Sequence, residues 1–341
     1  MRIGYMQKKL IALAITAAFA SAPAFADTSV YGLVDGGFGS KATTNESTNV
    51  KTTDSGILYS QDQTTRVGVK SSEDLGNGMK AIYQVELGLT TGFGIQPNLS
   101  ADRFLTGGLD FGQGTSLTIG KMSSPFRGIV YGNDAMYGAN FVGNLVTQDS
   151  SLTSRQVAAL VAQKFGAVTA TLGFMDNTHQ VTGLTDKKAG NGFEVTAVYK
   201  QDALSVSGGY RNTKDNTSNL ANEITTKDMI LAANYDFGMA KLYGQFANVT
   251  IDQQAAVPSE KRTYETVGVN MPFTSSLAGY VELGNGKHDT GAATSPKYSA
   301  YAVGVHYDLS KATFAYVHVG SQKEDTVSKV DQYGIGLVHS F

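Results

Sequence analysis

In Tyr333-Gly-Ile-Gly-Leu-Val-His-Ser-Phe341, the bulky residues Tyr333, Ile335, Leu337, His339 and Phe341 alternate with Gly334, Gly336, Val338 and Ser340. A period of two puts one set on each face of an extended chain, so the stretch reads as a β-strand with one broad apolar face. The rhythm returns at 66–70, where Val67 and Val69 oppose Arg66, Gly68 and Lys70. It returns again at 80–87, with Ala81, Tyr83, Val85 and Leu87 on one face and Lys80, Gln84 and Glu86 on the other. Here the second face carries charge. A soluble barrel fills its interior with apolar side chains, whereas a wide membrane-spanning barrel has a wet interior and an apolar exterior, and the pattern predicts the latter.

From residue 27 to 341 the pattern stays at period two, and no sustained 3.6-residue stripe is found. No stretch beyond residue 26 approaches 18 consecutive apolar residues, so a membrane can be crossed only by a closed sheet, in which every backbone group is paired. Tight connections are expected at Asp74-Leu-Gly-Asn-Gly78, Phe111-Gly-Gln-Gly114, Lys164-Phe-Gly-Ala167, Gln201-Asp-Ala203, Asp236-Phe-Gly-Met-Ala240, 272–276 and Leu309-Ser-Lys311. Longer polar segments are expected at 39–63, 91–100, 122–153, 178–191, 212–226, 250–261, 285–296 and 321–331. Seven tight turns alternating with eight long loops make sixteen strands, with both ends on the side of the tight turns. The expected fold is therefore all-β, a 16-stranded antiparallel transmembrane β-barrel. Tyr199, Tyr235, Phe237, Tyr301 and Tyr307 fall near strand ends, as interface girdles require.

Residues 1–26 read as a cleaved export signal: Arg2, Lys8 and Lys9 precede the apolar run 10–20, and Ala24-Phe-Ala26 supplies the cleavage pattern. The barrel domain is then 27–341. Setting those three bases aside leaves 24 Lys and Arg against 29 Asp and Glu, a formal charge of −5, which offers no basic face to nucleic acid. With no cysteine there is no disulfide framework, thiolate metal site or thiol nucleophile. The five histidines, His179, His288, His306, His318 and His339, show no metal-ligand spacing. His306, His318 and His339 read as strand-face residues and the other two as loop residues, and no catalytic, cofactor or metal role is assigned.

Four stretches carry a resemblance to a known family: Ser29-Val-Tyr-Gly-Leu-Val-Asp35, the block Arg66-Val-Gly-Val-Lys-Ser-Ser-Glu-Asp-Leu-Gly-Asn-Gly-Met-Lys-Ala-Ile-Tyr-Gln-Val-Glu86, Asp102-Arg-Phe-Leu-Thr-Gly-Gly-Leu109, and the closing Tyr333 to Phe341 stretch. With these the chain resembles the trimeric general porins of Gram-negative outer membranes. The resemblance implies a general diffusion channel for small hydrophilic solutes and ions, exported by the general secretory route and not an enzyme. Its implied partners are two further copies in a homotrimer, outer-membrane lipid and lipopolysaccharide, and barrel-insertion machinery that reads the last strand through Phe341.

It also implies that the third long loop, 122–153, folds inward to make a constriction. Arg66, Arg103 and Arg155 match the family's basic wall, and Lys70 and Lys80 share the lumen face by alternation. Asp134 and Arg127 on the loop, with Glu86 on the wall and Asp149 also on the loop, would complete a transverse field that orders dipolar solutes. The lumen bases, counting Lys121, outnumber Asp35, Glu86 and Asp134, so a weak anion preference is expected. The chain departs from the family pattern around Arg155 and in the third loop, which bears on the eyelet residues; the alternative functions are a substrate-specific channel or a surface adhesin barrel.

Overall fold

The computed structural model of the protein describes residues 26–59, 64–90, 98–136, 141–176, 190–215, 224–253, 258–291 and 295–341. The expected export signal, all but Ala26, lies outside the described residues, as do the expected loop segments 91–97 and 178–189 and His179.

The described residues are almost entirely strand: β1 Ala26–Asn45, β2 Val50–Tyr59, β3 Arg66–Gly76, β4 Met79–Thr90, β5 Asn98–Gly112 and β6 Thr115–Ser123 come first. After the third loop follow β7 Arg155–Phe165, β8 Val168–Asp176, β9 Gly190–Gln201, β10 Leu204–Asp215, β11 Ile224–Asp236 and β12 Lys241–Gln253. The last are β13 Glu260–Pro272, β14 Leu277–Asp289, β15 Lys297–Ser310, β16 Thr313–Glu324 and β17 Ser328–Ser340. Apart from β2 and β3, sequence neighbours pair antiparallel throughout, and β1 returns to pair with β17, closing the barrel. The seam ends where Gly32 and Phe341 exchange backbone hydrogen bonds of 2.9 and 3.1 Å.

Seventeen segments make sixteen staves, because β2 and β3 lie end to end along β1. Residues 36–45 of β1 face β2 and residues 26–33 face β3, with a register slip between them. At the slip the Asp35 N–H donates to Thr65 Oγ1 at 3.0 Å, so a hydroxyl replaces the missing ladder partner.

The outward face is apolar: Leu105 is 64% exposed, Ile119 55%, Val267 60% and Ile335 55%. Charge is inside, with Glu194 and Glu282 fully buried. So many exposed aliphatic side chains in one belt match lipid and not water. Tyr235, Phe237, Phe273, Tyr307 and Phe341 stand outward near the tight turns as one girdle.

All seven tight turns fall where expected. Three share one device: Asp74, Asp110 and Asp236 each accept, through Oδ1, the N–H of the glycine two residues on, at 2.8 to 2.9 Å. The long loops are shorter than expected. Most of 39–63 is the β1–β2 hairpin turning at 46–49, 321–331 is largely strand, and β14 runs on to Asp289, which puts His288 in that strand and not in a loop. The reason is physical. Alternation marks lipid contact, and beyond the bilayer both faces of a strand meet water, so the ladder continues without a pattern to read.

Candidate pore constriction

The third loop enters the lumen as two helices. Ser124 caps the first, Pro125–Gly132, accepting from the Arg127 N–H, with Pro125 at a position that needs no donor. Asn144 caps the second, Leu145–Gln148, its Oδ1 accepting from the Val146 and Thr147 N–H groups. Each cap also holds the wall: Ser124 Oγ donates to Glu194 of β9 at 2.9 Å, and Asn144 Nδ2 to Glu282 of β14 at 2.8 Å.

Between these ties lies an apolar core inside the barrel. Phe126, Ile129, Val130, Leu145, Val146 and Leu152 of the loop pack on Ile230, Ala232, Ala247, Val249, Tyr264 and Ala300 of β11 to β15. Each large side chain so buried contributes about 1.5–3 kcal/mol, which fixes the loop to that half of the wall. Further ties are polar. Asn234 donates to Asn133 at 2.8 Å, Tyr264 and Arg262 reach Asp149 at 2.9 and 3.2 Å, and Arg211 bridges Asp228 at 2.6 Å while donating to the Ser151 carbonyl.

The passage therefore runs along the other half of the wall, β1 to β5, where five polar side chains interlock. Arg103 Nε donates to Glu86 Oε1, Arg66 Nε stands 3.7 Å from Glu86 Oε2, Tyr31 donates to the same oxygen at 2.8 Å, and Gln84 donates to Tyr31 at 2.6 Å. Lys70 lies 5.7 Å from the centre of the Tyr31 ring. From the loop, Arg127 lies over Tyr131 at 4.1 Å and donates to the Thr153 carbonyl. Burial pulls the Arg127 guanidinium below its usual basicity, Tyr131 opposes that, and the like charge of Arg103 adds to it. Arginine keeps its charge in any case.

Several expected site residues sit elsewhere. Arg155 is opposite Ser123 in register, between Ser154, which accepts from the inward Arg211, and Gln156, which donates to the inward Glu194. The Arg155 side chain is half-buried, with Nε shielded from solvent, while alternation puts Lys121 on the outer face with Leu105. Lys80 faces inward but pairs with Asp74 beside a tight turn, six residues and about 20 Å of strand from Glu86. Asp134 and Asp149 face away from the passage: Asp134 is 2% exposed beside Glu282, and Asp149 is taken by Tyr264 and Arg262. Asp35 is buried and accepts from Tyr316 at 2.9 Å.

The residues that hold the loop, Glu194, Arg211, Asp228, Arg262 and Glu282, were not singled out in the sequence. Their signal is a charge at a lumen-parity position mid-strand, such as Glu282 between Val281 and Leu283. His306 and His318 face inward in an aromatic cluster with Tyr280, ring centres 5.5 and 5.6 Å away. Among the described residues no group of His, Asp and Glu is arranged to hold a metal.

The family described as Gram-negative porin matches over residues 11–327. Outer membrane porin protein 32 of Delftia acidovorans is 28% identical over 253 residues, 70% of this chain and 68% of that protein. An outer membrane porin protein of Bordetella pertussis is 26% identical over 285 residues, 72% and 70% of the two chains. Among solved structures, an anion-selective porin from Comamonas acidovorans superposes with a TM-score of 0.74 at 20% identity, over 93% of this chain and 100% of that one. OmpT of Vibrio cholerae in its trimer form superposes at 0.69 and 13% identity, over 93% and 100%.

Proposed function

We propose, since this chain belongs to the Gram-negative porin family and is an outer-membrane diffusion channel, that its passage weakly prefers anions. One observation carries the reading: at the constriction two bases, Arg66 and Lys70, meet water and the acids do not. Arg66 keeps a quarter of its side chain exposed, and Lys70 is exposed, while Glu86, Asp134, Asp149 and Glu282 are all buried with partners. A buried, paired carboxylate contributes little field to the passage, so the mobile ions meet a net positive wall. The Comamonas neighbour is an anion-selective porin, which agrees with this reading. The pore acts by size and charge on small hydrophilic solutes, with Arg66, Arg103, Arg127, Glu86 and Lys70 as the eyelet.

Three such chains assemble as a homotrimer, by analogy with the OmpT trimer form. Residues 1–26 direct export and are removed, the outward apolar belt sits in outer-membrane lipid and lipopolysaccharide, and the last strand with Phe341 is read by the insertion machinery. The deciding experiment is the zero-current potential of the purified protein in a potassium chloride gradient. A potential of the sign set by chloride supports the proposal, and one set by potassium overturns it. Conductance arriving in triple steps tests the trimer separately.

A further inference from the structure

Beneath the first loop helix, on the side of the tight turns, the lumen wall and the helix enclose an alcove of about 410 Å³. That volume is in the range of small-molecule sites. Its charge comes from Lys200 of β9 and Lys241 of β12, and no Asp or Glu lines it. Among the described residues neither ammonium is in an ion pair, and Lys241 lies 5.0 Å from the centre of the Tyr243 ring. The nearest acid by register, Asp236 opposite Lys241, is engaged at its own turn by the Gly238 N–H.

The floor is a row of hydroxyls across three strands. Thr171 of β8 pairs with Thr196 of β9, and Lys200 of β9 pairs with Ser205 of β10, with Ser207 next on the same face. Thr196 and Ser207 are more than nine-tenths buried, as are Asn133 and Asn234, whose side chains are bonded to each other at the rim.

The helix over the alcove gives the second, independent observation. Gly128 and Gly132 are four residues apart, on one face, and both line the alcove. Glycine is among the poorest helix formers. Packing does not require it here, since a Cβ at either position would meet nothing within 4 Å. Backbone conformation does not require it either, since neither has a positive φ. What the two glycines do is keep the helix face bare over open space, as at sites of close approach by a ligand.

We propose that this alcove is a subsite for small hydroxylated oxyanions, phosphorylated or carboxylated polyols, held by Lys200 and Lys241 through the oxyanion and by the Thr and Ser row through the hydroxyls. The inference rests on the anion-preferring channel above and names the solute class it retains.

The test is block of the chloride current in planar bilayers by glucose 6-phosphate, with gluconate, inorganic phosphate and glucose in parallel arms. Wild type is compared with Lys200→Gln/Lys241→Gln and with Gly128→Leu, which fills the alcove without touching charge; both variants are first required to keep porin-sized steps. Glucose 6-phosphate is expected to block wild type at a concentration roughly tenfold lower than it blocks the double lysine variant, the effect of two ammonium groups near one oxyanion in a wet site. Gly128→Leu is expected to weaken block as well. Equal block by gluconate supports recognition of either oxyanion, and block by glucose 6-phosphate alone supports the phosphate ester. Block that is unchanged in the lysine variant, or matched by glucose or by inorganic phosphate, overturns the subsite. The wild-type zero-current potential is read in the same membranes, so a failure of the anion-preferring channel shows there and is not confused with failure of the alcove.

Discussion

Arg103 is bonded through Nε to Glu86, although alternation from the lipid-facing Leu105 would turn it outward. A bulge in β5, where the register to β4 shifts between Glu86 and Gly88, re-aims it into the lumen. Glu86 thereby lies between two guanidinium groups. Glu86→Gln is expected to raise the anion preference and to cost about 2 kcal/mol of stability, the worth of hydrogen bonds to a charged partner. Zero-current potentials at 0.1 and 1 M salt check it. The gain should shrink at high salt, where the Debye length falls from about 10 to 3 Å; an unchanged potential at low salt would falsify the role given to Glu86.

Arg66 and Lys121 make a matched pair for separating lumen from outer face. Arg66→Gln should lower the anion preference, because it removes a water-facing charge from the passage. Lys121→Gln should leave the potential unchanged, since it stands opposite the lipid-facing Leu105. Equal effects from the two substitutions would contradict the register reading.

Asn144 holds both its own helix and Glu282. Asn144→Ala removes a cap worth about 1 kcal/mol and leaves a buried carboxyl short of a donor. The loss is confined to the loop, so the barrel's thermal transition should hold while open-channel current noise rises and amides over 141–154 exchange faster. Quiet channels with unaltered exchange would show that the apolar core alone holds the loop.

Phe341 places its ring over Gly32 on the outer face, at the end of the closing seam. Phe341→Ala removes a ring that is 59% exposed to the lipid side, so the lost burial is partial, on the order of 1 kcal/mol. Refolding yield into detergent micelles and the urea midpoint of the refolded barrel should both fall; a variant that refolds with wild-type yield and midpoint would reduce the ring to a girdle residue.

The barrel was legible because its evidence is local. Alternation in 66–87 and 333–341, the Asp-x-Gly turns and the count of connections each depend on residues within a few positions of one another, and lipid imposes the same rule on every stave. The inward third loop was legible from its length and rank, through the resemblance. The eyelet was legible only in part. Arg66, Arg103 and Glu86 meet, but a bulge decides Arg103, and distance along the strand removes Lys80.

The acids show the limit most clearly. Composition and spacing place Asp134 and Asp149 on the loop, yet whether they face the passage or the wall depends on partners more than 100 residues away, Glu282, Tyr264 and Arg262. By itself the sequence determined the closed sheet, its outward apolar face and the loop that enters it, because period and turn chemistry are short-range properties. Only the tertiary structure decided which charges meet water, because that is settled by how the loop's apolar face packs against β11 to β15, and burial there hides Asp134, Asp149 and Glu282 while Arg66 and Lys70 stay on the open side.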